Sequence, residues 1–224
     1  IQKWAVDRLS AWVDKETEFE LTVGSIHLTP LLDLRLENVH IEKAPTDVVD
    51  VESAIVDLDL SRLLMLHVGV EAIELSKGNI HITELIESVA LDANINNITL
   101  IADDIDLRKK CVSVPVAMLD SCVLDIKLRE TPEDTSASSP LDWQIDVEKV
   151  HVCRSKIALH LPNDTMCVSA SLREATLDAA DINLGNAAYG IGNISIIADS
   201  LSYDIPSADS VVGLDVNHLS FKNV

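Results

Sequence analysis

The sequence has very few aromatic residues and is sparse in glycine and proline. Aromatic residues make up 3% of the 224 residues, and glycine and proline occur seven times each. This composition excludes a collagen-like or low-complexity chain. Hydrophobic residues still reach 47%, and because so few are aromatic, a large core must be built mainly from aliphatic side chains.

Positive charge is also scarce. Lys and Arg total 17 against 37 for Asp and Glu, which gives a formal net charge of −20 at pH 7. Because nucleic-acid binding needs clustered positive charge, we expect no nucleic-acid partner. The same balance argues against simple electrostatic docking on anionic lipid headgroups. No apolar run reaches the roughly 18 residues that a membrane-spanning helix needs.

The four cysteines show neither a metal-binding nor a redox pattern. Cys111, Cys122, Cys153 and Cys167 are widely spaced, and none belongs to a Cys-x-x-Cys pair, so a zinc site is not supported. Four cysteines allow three disulfide pairings, and the sequence leaves open both this choice and the alternative of free thiols. Cys122 shares its alternation with Leu124, which predicts that it lies on an apolar face.

Catalytic motifs are missing as well. The sequence contains no Gly-x-Ser-x-Gly, P-loop or His-Glu-x-x-His motif. Asp57 and Asp59 alternate along a predicted strand, whereas calcium needs about six to eight converging oxygens. Five histidines between apolar neighbours are expected on the polar face, namely His27, His40, His81, His151 and His160. We therefore predict a protein that is not an enzyme and has no metal or other cofactor.

The first sixteen residues are predicted to form an amphipathic helix. Their apolar residues recur at the spacing of one helix face, namely Ile1, Trp4, Ala5, Leu9, Trp12 and Val13. Tryptophan is favoured at membrane–water interfaces. The helix therefore either covers one end of the following domain or lies at a membrane surface, and the sequence leaves both possibilities open.

From residue 17 on, a strand repeat replaces the helical pattern. It reads apolar, any, apolar, any, any, apolar, any, apolar. Its eleven copies begin at Leu21, Leu34, Val49, Val68, Ala93, Leu100, Ile145, Ala170, Leu177, Ile196 and Leu214. Two consecutive spacers would move the following apolar residues to the other face, and a β-bulge restores the phase and bends the strand. Each copy therefore predicts a strand bent in its middle, with its apolar residues on the concave side.

The spacer pairs are polar, as such bends require. They include Glu37-Asn38, Glu52-Ser53, Asn96-Asn97, Asp103-Asp104, Glu148-Lys149, Arg173-Glu174, Asp199-Ser200 and Asn217-His218. The copies begin at irregular intervals, which favours an antiparallel meander over a β-helix of constant period. The apolar face must be covered by a second sheet, by its own curvature or by an apolar ligand. The bends favour curvature, so we predict a mostly β fold, a long curled antiparallel sheet over residues 17–224, with a flexible loop near residues 129–141.

Several segments carry a family resemblance. The segments Phe19–Leu28 (FELTVGSIHL) and Leu32–Ile41 (LDLRLENVHI) resemble the region just after the membrane anchor of TamB and AsmA-type proteins. The stretch from Val56 to Ile82 is similar to that family's run of strand, short turn, strand, glycine and strand. The amphipathic start also matches the family's layout.

The resemblance implies a periplasmic protein anchored to the inner membrane of a diderm bacterium. Its fold would be a taco-like β-groove lined by aliphatic side chains. The groove would conduct phospholipids toward the outer membrane in outer-membrane biogenesis, or help to assemble outer-membrane proteins. The implied partners are phospholipid acyl chains, the inner membrane through an N-terminal anchor, and an outer-membrane partner through a C-terminal region. This sequence has neither region and stops inside a repeat copy, so we expect it to be the N-terminal part of a longer chain.

Nine central inward positions are the candidate lipid-binding residues. They are Val70, Ile73, Leu75, Ile80, Ile82, Ile98, Leu100, Ile105 and Leu107. The alternative is a closed structural or chaperone-like scaffold that packs these residues as ordinary core and binds partners through its strand edges. A filled interior would favour the scaffold, and an open aliphatic groove would favour lipid.

Overall fold

The computed structural model describes residues 19–29, 33–43, 46–58, 70–86, 89–102, 104–106, 111–129, 144–162, 166–178, 181–183, 188–189, 192–204, 211–214 and 219–221. These residues form fifteen strands of one sheet. The strands are β1 (Glu20–Leu28), β2 (Leu34–Lys43), β3 (Asp47–Leu58), β4 (Val70–Ile86), β5 (Val89–Ile101), β6 (Asp104–Asp106), β7 (Cys111–Asp120), β8 (Val123–Leu128), β9 (Gln144–His160), β10 (Cys167–Asp178), β11 (Asp181–Asn183), β12 (Ala188–Tyr189), β13 (Ile194–Asp204), β14 (Val211–Leu214) and β15 (Leu219–Phe221). The prediction of a mostly β fold is confirmed.

The order of the strands corrects one part of that prediction. The main path is β1-β2-β3-β4-β5-β7-β9-β10-β13-β14, and β8 continues the line of β7 between β5 and β9. Strands β7 and β8 are antiparallel to β5 but parallel to β9. The prediction of a purely antiparallel sheet is therefore wrong. Alternation of apolar residues is the same in both strand directions, so the repeat could not reveal the parallel pairing.

The strands from β1 to β13 bend along one line. Where β1 pairs with β2, the ladder passes from Val23↔Val39 to Ser25↔Glu37 and leaves out one residue on each strand. We call this line the main crease. The residues along it that have no partner in the ladders are Gly24, Asn38, Glu52, Lys77, Asn96, Ser121, Arg154, Arg173 and Asp199. Because one residue is unpaired on each of the two strands, the strands stay in register. The alternation of side chains shifts by one residue at the bend, so the apolar residues after the two spacers lie on the same face as those before them.

These bends confirm five of the predicted spacers, namely Glu37-Asn38, Glu52-Ser53, Asn96-Asn97, Arg173-Glu174 and Asp199-Ser200. A second interruption lies farther along the sheet, where the β7–β9 ladder leaves out Pro115 and Glu148. Proline cannot donate a ladder hydrogen bond. The predicted spacer Glu148-Lys149 falls on this second line.

The main crease holds four non-glycine residues in the left-handed backbone region. They are Asn38 (φ 52°), Lys77 (φ 51°), Ser121 (φ 57°) and Arg154 (φ 47°). L-residues rarely adopt positive φ, and asparagine tolerates it better than most. The bends therefore hold these residues in a backbone conformation that is intrinsically unfavourable for most of them.

A valine at position 38 tests this strain. Because a β-branched side chain fits the left-handed region poorly, we expect Asn38→Val to lower the free energy of unfolding by about 1–2 kcal/mol. Asn96→Val is the matched control, because Asn96 is also an exposed crease residue but has no positive φ. We expect that variant to stay within about 0.5 kcal/mol of wild type. Urea unfolding of the two variants measures the difference, and equal losses would contradict strain at position 38.

The sheet bends toward its apolar face. Val23 and Ile26 flank the crease on β1, Val51 and Ala54 flank it on β3, and with Val39 they form one buried cluster. The residues left out at the crease are exposed, apart from the half-buried Ser121. Because side chains from both sides of the bend meet on the apolar face, that face is concave and the polar face is convex.

Two predicted segments lie outside the described residues. They are the amphipathic helix over residues 1–16 and the loop near residues 129–141, of which only Arg129 is described. In the part of the chain that the structure describes, no helix is both long and apolar enough to cross a membrane.

Candidate functional site: an aliphatic trough

Aliphatic side chains form continuous rows across the concave face. Beside the crease, one row joins Ile26, Leu36, Ala54, Leu75, Ile98, Leu119, Val152, Ala175 and Ile196. The next row on that side joins Leu28, Leu34, Val56, Ile73, Leu100, Ala117, Val150, Leu177 and Ile194. Across the crease, a third row joins Leu21, Ile41, Val49, Ile80, Ala93, Leu124, Ile157, Ala170 and Leu201.

We call these three rows the aliphatic trough. Each row crosses nine strands, and at a strand spacing of about 4.8 Å the trough is roughly 40 Å long. Every position in the three rows is Ala, Val, Ile or Leu. Such uniform rows form because every strand has an unpaired residue at the crease, so the side-chain alternation of all strands stays matched on both sides of it.

No described strand packs across the trough, and most of its side chains keep part of their surface exposed. Only Ile26, Ala54, Ala93 and Ala117 of its residues are buried, and the others keep part of their surface exposed. Among the described strands, the backbones of two strands run close together only where the strands are hydrogen-bonded neighbours in the sheet. A long apolar surface that no described strand covers is a candidate binding site.

Seven of the nine predicted lining residues come together on β4 and β5. Ile73 pairs with Leu100 and Leu75 pairs with Ile98, so four of them form two direct cross-strand contacts. A fifth, Ile80, lies across the crease in the third row, whereas Val70 at the start of β4 and Ile82 lie on β4 outside the three rows. All seven are half-buried.

The structure does not describe the side chains of the other two predicted lining residues. Ile105 lies in β6, where its backbone pairs with Val112, but its side chain is outside the described set. Leu107 is outside the described residues altogether.

The floor of the trough is formed by four residues outside the predicted lining set. The repeat predicts Ile95 on the apolar face and the alternation predicts Cys122 there, whereas Gly78 and Ser155 were missed. Gly78, Ile95, Cys122 and Ser155 line the crease on successive strands, and the side chains of Ile95, Cys122 and Ser155 are at most 2% exposed. The Ser155 hydroxyl accepts the Cys122 N–H at 3.0 Å and donates to the Cys153 carbonyl oxygen at 2.7 Å. This floor serine is therefore fully satisfied and adds no reactive group.

A signal for part of this floor was present in the sequence. Ala117, Leu119, Cys122 and Leu124 fit the strand repeat, although alanine and cysteine make that copy weak. Gly78 and Ser155 occupy inward positions that a search for apolar residues cannot find. The predicted apolar placement of Cys122 is confirmed, because this thiol is 1% exposed.

The described cysteine side chains are free thiols, namely Cys122, Cys153 and Cys167. The Cys122 sulfur lies 3.6 Å from the Asn97 carbonyl oxygen, and the Cys167 sulfur lies 3.8 Å from Nε2 of His160. These contacts connect neighbouring strands without a covalent link.

The convex face is charged and cross-linked by ion pairs. At the crease, Lys77 lies 3.2 Å from Glu52 and Arg173 lies 2.7 Å from Asp199. Away from it, Lys149 lies 3.7 Å from Asp178. The sheet therefore separates an aliphatic inner face from an outer face that carries these charges together with a few exposed apolar residues, among them Ile101, Met118 and Val123.

Three of the predicted outward histidines pair with carboxylates on a neighbouring strand. His40 contacts Asp50, His81 contacts Asp92, and His160 lies 3.3 Å from Asp125. Within the described residues, no group of three or more acidic, histidine or cysteine side chains could hold a metal ion.

The charge state of His40 makes stability depend on pH. Hydrogen bonds to Asp50 (2.6 Å) and Glu42 (3.2 Å) raise the pKa of His40 above its ordinary value of 6.5. Because the folded pKa exceeds the unfolded one, this stabilisation is fully present below about pH 6.5 and is lost as the pH rises through the folded pKa. We expect Asp50→Asn to lower the His40 pKa, which an NMR titration measures.

Asp57→Asn is the control for this titration, because Asp57 lies on the same strand beyond the crease. It should leave the pKa of His40 at its wild-type value. A His40 pKa that stays unchanged in Asp50→Asn would contradict the assigned cause.

The described residues therefore form a single creased β-sheet whose inner face carries an aliphatic trough. No known protein-family model matches the chain, and no curated protein matches it in sequence. No solved structure matches its fold.

Proposed function

We propose that this protein binds phospholipid acyl chains in the aliphatic trough and conducts them between two membranes. The observation that carries the proposal is the long, uncovered and uniformly aliphatic surface of the three rows. Its action is non-enzymatic. The resemblance to TamB and AsmA-type proteins adds the periplasmic location, the inner-membrane anchor and the role in outer-membrane biogenesis to this proposal.

The chemistry of the trough suits acyl chains. Burying one CH₂ group is worth about 0.8 kcal/mol, so a chain lying along the trough gains affinity by area alone. Such contacts have no direction, and binding should tolerate different chain lengths and unsaturation. Because the rows run along the trough, a chain can slide from strand to strand without breaking a polar contact.

The convex face complements this role. Its ion pairs and exposed carboxylates keep a protein with an open apolar surface hydrated. The net charge of −20 opposes adsorption on anionic bilayers. Delivery would then depend on the ends of the trough rather than on broad electrostatic docking.

Native mass spectrometry of the purified chain, with lipid extraction from the same sample, tests the proposal. We expect phospholipid to co-purify at a defined stoichiometry. A clean unliganded mass, together with refusal of added lipid, would contradict it. That result would favour a structural or chaperone-like scaffold that receives a partner strand at a sheet edge, such as β1, which among the described strands pairs only with β2.

A further inference from the structure

Arg129 lies at one rim of the sheet, where β8 ends. It follows Leu128, the last residue of β8, which pairs with Val89 at the start of β5. Val89 in turn pairs with Ile86 at the end of β4. Three strands therefore end at the same rim, and Arg129 stands just beyond the last of their paired residues.

The Arg129 side chain spans this rim. Its Nη1 atom donates to the Thr83 carbonyl oxygen of β4 at 2.7 Å, so it crosses from β8 past β5 to β4. The buried Asp47 carboxylate accepts the N–H groups of Thr83 and Glu84 at 2.5 and 3.0 Å. The peptide that holds the guanidinium is therefore itself fixed, while Arg129 remains exposed.

Aliphatic residues lead directly to this cation. Ile82 pairs with Leu91, and Leu91 pairs with Ile126, which forms a row between the trough and the rim. An acyl chain that leaves this row along β8, past Ile126 and Leu128, would bring its polar end to the rim where Arg129 lies. A guanidinium has five N–H donors in a planar fork that matches phosphate oxygens, and the bond to Thr83 uses one of them.

We infer that Arg129 binds the phosphate of a zwitterionic, ammonium-bearing phospholipid whose chains occupy the trough; this inference rests on the proposed function. Glu84 is exposed, and its backbone directly follows the Thr83 carbonyl that accepts from Arg129, so an acidic residue lies at the same rim. Phosphate beside Arg129 and ammonium beside Glu84 satisfy both charges. The net charge of −20 favours such a headgroup over an anionic one.

Comparing two lipids with identical acyl chains tests Arg129. Phosphatidylethanolamine carries the phosphate and the ammonium, whereas diacylglycerol carries neither. We expect Arg129→Gln to weaken phosphatidylethanolamine binding about tenfold, the size of one lost charge-assisted hydrogen bond, and to leave diacylglycerol binding unchanged. Arg129→Lys, which keeps the charge but not the fork, should fall between them. Arg173→Gln, on the convex side of the crease, is the control and should bind both lipids as wild type does.

The outcomes separate the two proposals. If wild type binds neither lipid, the proposed function fails. If wild type binds both and Arg129→Gln binds them equally well, the headgroup contact alone is wrong. Inorganic phosphate that binds at Arg129 as tightly as the phospholipid would also overturn the lipid assignment, since a free anion would then be sufficient. Circular dichroism confirms that each variant is folded.

Discussion

Replacing Leu100 with aspartate is expected to abolish lipid binding while the sheet stays folded. Leu100 lies in the second row of the trough, between Ile73 and Ala117 on the neighbouring strands, and is half-buried. Without lipid, a carboxylate there can remain hydrated through the open side of the trough. An acyl chain lying over it would remove that water, and burying an unpaired charge costs several kcal/mol. Native mass spectrometry should show loss of the co-purifying lipid.

Ile101→Asp is the matched control for Leu100→Asp. Ile101 is the next residue on the same strand, faces the convex side and is 41% exposed. It undergoes the same exchange of an aliphatic side chain for a carboxylate but does not touch the trough. We expect wild-type lipid stoichiometry and a folded spectrum. If folded Leu100→Asp also keeps its lipid, the acyl chains bind elsewhere and the trough is not the binding site.

The bends were predictable because each of them appears in the amino-acid sequence as a pair of polar residues within an apolar alternation. At Glu37-Asn38 and at Arg173-Glu174, two polar residues interrupt an apolar alternation that then resumes on the same face. Only a residue left out on both paired strands preserves both the register and the face. The positions of these bends therefore follow from alternation and phase, without knowledge of which strands are neighbours.

The direction of β9 was not predictable in this way. Alternation contains no information on strand polarity, and the chain between β8 and β9 carries no strand repeat. The bend at Arg154 was missed for a different reason. Ser155 occupies the inward position there, and its hydroxyl is satisfied by Cys122, between β7 and β8, and by its own strand. A hydrogen bond from a neighbouring strand to a buried hydroxyl can be recognised only once the pairing of the strands is known.

The candidate site could be predicted only around β4 and β5. These strands adjoin both in sequence and in the sheet, so Ile73 and Leu100 could be assigned to one face as neighbours. Extension of the trough over β7, β9 and β10 depends on register across a parallel pairing. The second row, for example, continues from Ala117 to Val150 only because β7 and β9 run in the same direction.

Adding a single methyl group at Gly78 should test how closely the strands pack at the crease. Gly78 faces Val51 on β3 and Ile95 on β5. A Cβ atom there would lie 2.6 Å from the Asp50 carbonyl oxygen and 3.1 Å from a Val51 methyl group. The first of these is a backbone atom, so relief requires movement of the ladder itself. The glycine also lets the large side chain of Ile95 lie in the floor at 2% exposure.

We therefore expect Gly78→Ala to lower the free energy of unfolding by about 1–3 kcal/mol, the range of overpacked core substitutions. Exchanging glycine for alanine at an unstrained site would instead stabilise by about 0.4–1 kcal/mol through the unfolded chain, so even the sign of the change is informative. Glu74→Ala, at an exposed position of the same strand, should change stability by less than about 0.5 kcal/mol. Urea unfolding measures both variants. A neutral or stabilising Gly78→Ala would contradict this close packing. It would mean that β3 and β4 lie farther apart at the crease and that the floor of the trough is wider there.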